Sequence, residues 1–336
     1  MNWQRFLKGR LKKEECLARH TSFKVGGPVQ FWIEPGDLSD LQKVVLIAGK
    51  RKMPLRIIGA GSNILASDKG IKGIVVKLNF PYFKRIHPHT NLQSQCKTEK
   101  QVGVGLNQQI ISAGAGLSLA RLLRCAQENG LSGFELLAGI PGTVGGALIM
   151  NAANIGDNVL DVTVMDKQAR VKILNREDIQ FSYRSSSLNR YIILSARFKL
   201  IYRDRRAINK RINRYLDYRQ KTQDLSKPSA GCIFKNPPPS SRLPSSPRLR
   251  RISQRIVHRS FSEGGQNSKS AAYFIERCGL KGSSFGDAAV SFKHANFIVN
   301  KGRASYSDIL RLIVYITKYV KKRFNLNLEP EIKIWR

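Results

Sequence analysis

Apolar residues at i, i+3, i+4 and i+7 predict a helix over 37–50, where Leu41, Val44, Val45 and Ala48 share one face and Asp37 or Ser39 stands at the cap. A short apolar run at 55–58, the turn Gly59-Ala-Gly-Ser-Asn63 and a β-rich run at 71–78 follow, and together they predict a strand, a glycine turn and a second strand. Residues 87–100 are polar and patternless, and read as a loop or boundary. The pattern then returns. A helix opens at Ser118, places Leu119, Leu122, Leu123 and Ala126 on one face and stops at Gly130, and strand-like runs occupy 161–165 and 192–200. The last third carries a basic helical stretch at 207–219, a helix at 270–278, a short strand at 297–300 and a long helix at 307–324. That last helix turns Ile309, Leu312, Ile313, Ile316 and Val320 inward.

One apolar segment breaks the pattern. Gly139-Ile-Pro-Gly-Thr-Val-Gly-Gly-Ala147, running on to Met150-Asn151, sets four glycines and a proline in otherwise apolar sequence. Without Cβ atoms such a chain can take positive φ and bring backbone N–H groups against a phosphate. It can equally be a tight buried turn, and on its own residues the two readings stand level. The upstream turn at Gly59–Asn63 favours a cofactor.

A chain of 336 residues exceeds the size of a single core, so two or three domains are expected. Its five cysteines, at 16, 96, 125, 232 and 278, are odd in number, widely spaced and without a C-x-x-C pair. They argue for a reducing compartment and against a disulfide framework or a metal site. The opening MNWQRFLKGRLKKEEC has no apolar core of a secretory signal, and the uncharged run 136–150 is shorter than the roughly 18–20 residues of a membrane span. A soluble, cytoplasmic protein is expected, with no membrane partner.

The charge complicates this picture. Against 23 acidic residues stand 58 Lys and Arg, a formal net charge of +35. The field attracts polyanions, so a basic nucleic-acid-binding protein is one reading. Residues 203–219 hold seven basic and two acidic residues, and 242–259 hold six arginines and no acid. The second cluster lies in a segment, 237–268, that holds five of the 13 prolines and reads as an exposed, partly disordered insertion. Aromatic interleaving is absent there, so a solvated basic surface is preferred and no nucleic-acid partner is expected.

Three polar residues stand in unusual company: Arg184 in Phe181-Ser-Tyr-Arg-Ser-Ser-Ser187, Cys232 in Ser229-Ala-Gly-Cys-Ile-Phe-Lys-Asn-Pro237, and Glu331 in Leu328-Glu-Pro-Glu-Ile-Lys-Ile-Trp335. On the residues alone they suit a strand edge, a buried small thiol and a surface carboxylate. An ordered set of segments links them. Arg19-His-Thr-Ser-Phe-Lys-Val-Gly-Gly-Pro28, Gly59–Asn63, Gly139–Asn151, Tyr183-Arg184, Ala230-Gly-Cys-Ile-Phe-Lys-Asn-Pro237, Gly279-Leu-Lys-Gly282, His294-Ala-Asn-Phe297 and Leu328-Glu-Pro-Glu331 together resemble the UDP-N-acetylenolpyruvoylglucosamine reductase family. The resemblance runs from about residue 19 to 334.

It implies an α+β protein with an FAD-binding domain of the vanillyl-alcohol-oxidase type at 1–205, in two α+β subdomains at about 1–85 and 86–205, and a C-terminal α+β substrate-binding domain at 206–336. FAD is the implied cofactor, NADPH the co-substrate, and the enolpyruvyl ether of UDP-N-acetylglucosamine the substrate. Another substrate on the same flavin fold is the alternative. Gly59, Ala60, Gly61, Ser62, Asn63, Gly139, Ile140, Gly142, Thr143, Gly145, Gly146 and Asn151 are then expected at FAD, although no G-x-G-x-x-G fingerprint is present. Tyr183, Lys235, Asn236 and Lys281 match positions that hold the UDP-sugar. Arg184, Cys232 and Glu331 match the catalytic set. Two departures stand out: Cys232 occupies the place of the usual serine proton donor, and Asn151-Ala-Ala-Asn-Ile-Gly156 replaces a more frequent Gly-Ala-Tyr or similar after Asn-Ala.

Overall fold

The structure, a computed structural model, describes residues 7–89, 107–238 and 270–336. Most of the expected loop at 87–100, Cys96, nearly all of the expected 237–268 insertion and its arginine cluster therefore lie outside the described residues. The chain divides into two compact units, one of residues up to 15, 29–61 and 72–217, the other of 16–28, 62–71 and 218–336. The expected boundary at 205/206 meets the first turn of a helix, and the units divide further along that helix. Each unit has its own apolar core.

Unit 1 is built on two sheets. The first orders strands Arg10–Cys16, Pro28–Glu34, Ile71–Lys77 and Leu55–Ile58, with the last two parallel. Helix α1, Leu38–Lys50, buries Leu41, Val44, Val45 and Ala48, the face that the periodicity predicts. Asp37 caps it by accepting from the Asp40 N–H at 3.0 Å. The second sheet centres on the long strand Ile192–Tyr202, flanked by Val159–Met165 and Gln108–Gly114, with Val171–Asn175 and Ile86–His89 outermost. Over it lies α2, Leu119–Glu128, capped by Ser118 and buried through Leu119, Leu122 and Ala126. The short α3, Val144–Met150, follows Thr143 as cap, so Gly145 and Gly146 belong to its first turns and not to a loop. Helix α4, Arg205–Thr222, is the expected basic stretch.

Unit 2 holds the sheet of strands Ser229–Cys232, Phe297–Asn300, Ala288–Val290 and Ser284–Phe285 in that order, antiparallel throughout. Helices α5, Ala271–Arg277, and α6, Tyr306–Phe324, supply its core together with Phe23, Val25 and Leu65. A capping box of Ser305 and Asp308 opens α6, and Ile309, Leu312, Ile313, Ile316, Val320 and Phe324 form its buried stripe. Its last turn carries Lys321, Lys322 and Arg323 at the negative end of the dipole.

Several elements depart from the sequence reading. Between the two predicted strands at 55–58 and 71–78 the chain leaves unit 1 and forms a short strand, Ile64–Ala66, that pairs in parallel with Lys333–Trp335. Residues 16–28 also join unit 2: the Leu17 and Ala18 N–H groups donate to the Gly27 and Gly26 carbonyls, and Asn300 Nδ2 donates to Phe23 O at 2.9 Å. Among the described residues no helix is long and apolar enough to cross a membrane.

Candidate functional site

In unit 1 the two glycine segments meet. A Cβ on Gly59 would stand 2.5 Å from Thr143 Oγ1, nearer than side-chain packing permits. Gly61 and Gly139 take φ of +67° and +73°, which glycine adopts without penalty. The N–H groups facing an anion are fewer than the run suggested. Ile140 donates to Leu137 O at 3.0 Å, Val144 to Leu117 O and Gly145 to Ala115 O at 2.9 Å, and Gly146 to its own cap, Thr143 Oγ1, at 3.4 Å. Gly139, Gly142 and Thr143 keep backbone N–H groups with no hydrogen bond among the described residues. The residues of both turns within this unit, 59–61 and 139–146, include no acid. Two turns without carboxylates, lacking Cβ atoms at Gly59, Gly61, Gly139 and Gly142 and offering N–H donors, fit the pyrophosphate of FAD.

Arg184 sits on a hairpin of the same unit. Strands Phe181–Ser182 and Ser185–Ser186 pair through Ser182 and Ser185, leaving Tyr183 and Arg184 as a two-residue loop. Arg184 takes φ +55°, an uncommon conformation for a residue with a side chain. Its guanidinium lies 5.4 Å from the centre of the exposed Tyr183 ring. From below, the hairpin is fixed by Phe181, which packs on Gly156 so closely that a Cβ there would approach the ring to 2.5 Å. The Arg176 guanidinium stands 4.9 Å from the same ring.

Asn151, expected at FAD, is hydrogen-bonded within unit 1. It caps the C-terminal end of α3 in the left-handed conformation, donates from Nδ2 to Ser182 O at 3.2 Å and accepts at Oδ1 from the Gly156 N–H at 3.1 Å.

Unit 2 brings together three segments far apart in sequence. Strand Ser229–Cys232 pairs with Phe297–Asn300 through Ser229 opposite Val299 and Cys232 opposite Phe297, so one extra residue is accommodated between them. Gly231, at φ +72°, lies in this bulge, which turns the half-buried Cys232 relative to the ladder. The next residue, Ile233, accepts at its carbonyl from the Glu331 N–H at 2.7 Å, and the Lys235 N–H donates to Glu329 O. Asn63 completes the group: its Nδ2 donates to Glu331 O at 3.3 Å and its carbonyl accepts from the Lys333 N–H. Glu331 is thus tied through its backbone to Ile233, the neighbour of Cys232, and to the Asn63 side chain.

The expected sugar-nucleotide residues are partly spoken for. Lys235 Nζ is 3.3 Å from Glu329 Oε2, and Lys281 Nζ is 2.6 Å from Glu276 Oε1. Asn236 Oδ1 accepts from the Ala271 N–H at the start of α5. Tyr183 lies in unit 1.

One contributor escaped the sequence reading. Asn296, in the quoted His294-Ala-Asn-Phe297, is buried and clamps Phe234 at both backbone atoms: Oδ1 accepts from its N–H at 2.9 Å and Nδ2 donates to its carbonyl at 2.8 Å. The available signal was an amide within an apolar run, since a buried amide demands partners. Beside it, His294 Nδ1 accepts from the Asn296 N–H at 3.2 Å. Burial, aided by the positive charge of Lys281, holds the His294 imidazole below its ordinary pKa.

Residues 223–335 match the sequence model of the UDP-N-acetylenolpyruvoylglucosamine reductase C-terminal domain, and residues 29–175 match that of an FAD binding domain. The chain is 34% identical over 333 residues to UDP-N-acetylenolpyruvoylglucosamine reductase 2 of Symbiobacterium thermophilum, covering 97% of this chain and 92% of that one. It is 37% identical over 330 residues to the Agathobacter rectalis UDP-N-acetylenolpyruvoylglucosamine reductase, covering 96% and 93%. The crystal structure of UDP-N-acetylenolpyruvylglucosamine reductase from Thermus caldophilus superposes with a TM-score of 0.71 at 28% identity, over 98% of this chain and 100% of that one. With its α+β architecture, its FAD-binding domain and a C-terminal domain of the matching kind, the chain belongs to the UDP-N-acetylenolpyruvoylglucosamine reductase family.

Proposed function

We propose that this chain uses NADPH to reduce the enolpyruvyl ether of UDP-N-acetylglucosamine to UDP-N-acetylmuramate, in the cytoplasm, as a step of peptidoglycan precursor synthesis. The observation that carries the reading is the linkage of Cys232 and Glu331 through Ile233: a thiol and a carboxyl, 99 positions apart in sequence, are held one residue from a shared hydrogen bond. In this reading residues 1–205 serve FAD, in two subdomains, and 206–336 serve the sugar nucleotide.

FAD, when bound, supplies the hydride that reaches the vinyl methylene carbon. Charge then builds on the neighbouring carbon and spreads into the substrate carboxylate, so a fixed cation and a hydrogen-bond donor are needed there. Arg184 is that cation, and its uncommon backbone conformation is a strained feature of the kind functional loops retain. Glu331, in its protonated form, is the donor. Cys232 delivers its Sγ proton to the carbon bearing the ether oxygen, and the thiolate left behind regains a proton from water. A thiol with a reference pKa of about 8.5 is mostly protonated at neutral pH and a far stronger acid than serine. Gly59, Ala60, Gly61, Ser62 and Asn63 with Gly139, Ile140, Gly142, Thr143, Gly145 and Gly146 hold FAD. Tyr183, Lys235, Asn236 and Lys281 hold the UDP-sugar, the two lysines exchanging Glu329 and Glu276 for the diphosphate.

The experiment is NADPH oxidation by the purified yellow protein, with and without the enolpyruvyl nucleotide. Oxidation that depends on the nucleotide and yields the lactyl ether supports the reading. Oxidation that ignores the nucleotide and follows oxygen identifies a flavin oxidoreductase with another substrate.

A further inference from the structure

We propose that Asn151 is a positioning residue for Arg184, coupling helix α3 to the hairpin that carries the guanidinium. The inference rests on the reading of Arg184 as the cation for the substrate carboxylate. Both ends of the Asn151 amide are committed. Nδ2 holds the carbonyl of Ser182, two residues before Arg184 and the last residue of the strand that leads into the loop. Oδ1 holds the N–H of Gly156, whose missing side chain leaves room for the Phe181 ring at the base of the same strand. A third bond runs from the returning strand to the same helix, Ser186 Oγ donating to Ile149 O at 3.2 Å. The C-terminal end of α3 therefore grips both strands of the hairpin.

The same helix begins at Thr143, the residue that meets Gly59. About two turns of helix have the glycine wall at their start and the Arg184 hairpin at their end, with Asn151 as the last link. The left-handed backbone of Asn151, φ +45° and ψ +46°, is where asparagine and glycine are tolerated, so the side chain can be deleted without disturbing the cap.

Asn151→Gly provides that deletion, and Asn151→Asp keeps the acceptor for Gly156 while removing the donor to Ser182. Three readouts are compared in both variants, in Arg184→Ala and in Asn151→Gly/Arg184→Ala: bound FAD, flavin reduction by NADPH, and reoxidation of reduced flavin by the enolpyruvyl nucleotide. The proposal expects wild-type FAD content and reduction in both Asn151 variants and reoxidation slowed by about 10²-fold, the scale of an ångström's misplacement. It also expects the double variant to be no slower than Arg184→Ala, because Asn151 acts only through Arg184. Lost FAD and slowed reduction in Asn151→Gly would make Asn151 a direct cofactor holder and overturn the proposal. So would wild-type reoxidation, or effects that multiply in the double variant. Wild-type reoxidation in Arg184→Ala would instead remove the role assigned to Arg184, and this inference with it.

Discussion

Gly59 and Thr143, in contact across 84 positions of sequence, leave no space for a single methyl group: a Cβ on Gly59 would stand 2.5 Å from the threonine Oγ1. Gly59 is not among the glycines at positive φ, so its need for glycine is steric and not conformational. The contact joins the strand end at Ile58 to the cap of α3, which makes the glycine wall one object.

Gly59→Ala is accordingly expected to destabilise the protein by about 1–3 kcal/mol, the usual cost of overpacking, and to lower bound FAD. In a Thr143→Ala background, which itself costs about 1 kcal/mol through the lost cap, the added penalty should shrink. Denaturant unfolding of the four-member cycle checks this. Strict additivity of the two substitutions would mean the contact is not the cause.

In Asn151-Ala-Ala-Asn-Ile-Gly156 the backbone carries a conformational cost. Ala153 takes φ +50° and Asn154 φ +55° beside Asn151. Left-handed alanine is strained by about 1–2 kcal/mol, partly offset by the greater chain entropy glycine loses on folding. Ala153→Gly should therefore stabilise by about 1 kcal/mol and raise the melting temperature by about 2 °C, measured calorimetrically. A fall in melting temperature would show that the segment is not strained at Ala153.

Stability should also depend on pH through His294. Burial first, and Lys281 second, lower its pKa below the ordinary 6.5. The folded state resists the proton that the unfolded chain accepts near 6.5, so the contribution is intact above that value and lost as pH falls through the lower folded value. Protonation at Nδ1 would also abolish its acceptance from the Asn296 N–H, loosening the clamp beside Cys232. His294→Gln should flatten the mildly acidic limb of a stability–pH curve relative to wild type. An unchanged limb would assign the pH dependence to other groups.

At Cys232 the prediction is kinetic. Cys232→Ser should retain appreciable turnover, while Cys232→Ala should preserve flavin reduction by NADPH and slow reoxidation by the nucleotide by about 10²–10⁴-fold, the range of a lost general acid. Single-turnover absorbance of the flavin separates the halves. Full activity in the alanine variant would remove Cys232 from proton transfer.

Local signals carried much of the fold. The periodic stripes of α1, α2 and α6 and the helix starts near Asp37 and Ser118 are set by residues within a few positions of one another, and the structure retains them. Strand Arg10–Cys16 was not legible because its sequence, RLKKEEC, shows no apolar alternation. The parallel pairing of Ile64–Ala66 with Lys333–Trp335 was not legible because no local pattern records a partner some 270 residues away. For the candidate site, resemblance supplied positions and the structure supplied connections. Cys232 and Glu331 were physically unremarkable apart, and the bond from Glu331 N–H to Ile233 O brings their segments together. The glycine run was legible as a site of close approach, but its helix and its internally satisfied N–H groups were not.

The most direct test of the account follows one hydride. The flavin is reduced anaerobically with NADPH in deuterium oxide, and the enolpyruvyl nucleotide is then added. The account predicts that the flavin band bleaches with NADPH and returns with the nucleotide, and that the product is a lactyl ether with one deuterium in its methyl group, delivered through the solvent-exchangeable N5 position of the reduced flavin, and one on the adjacent carbon. A flavin that returns only when oxygen is admitted, with the nucleotide recovered unchanged, would contradict it.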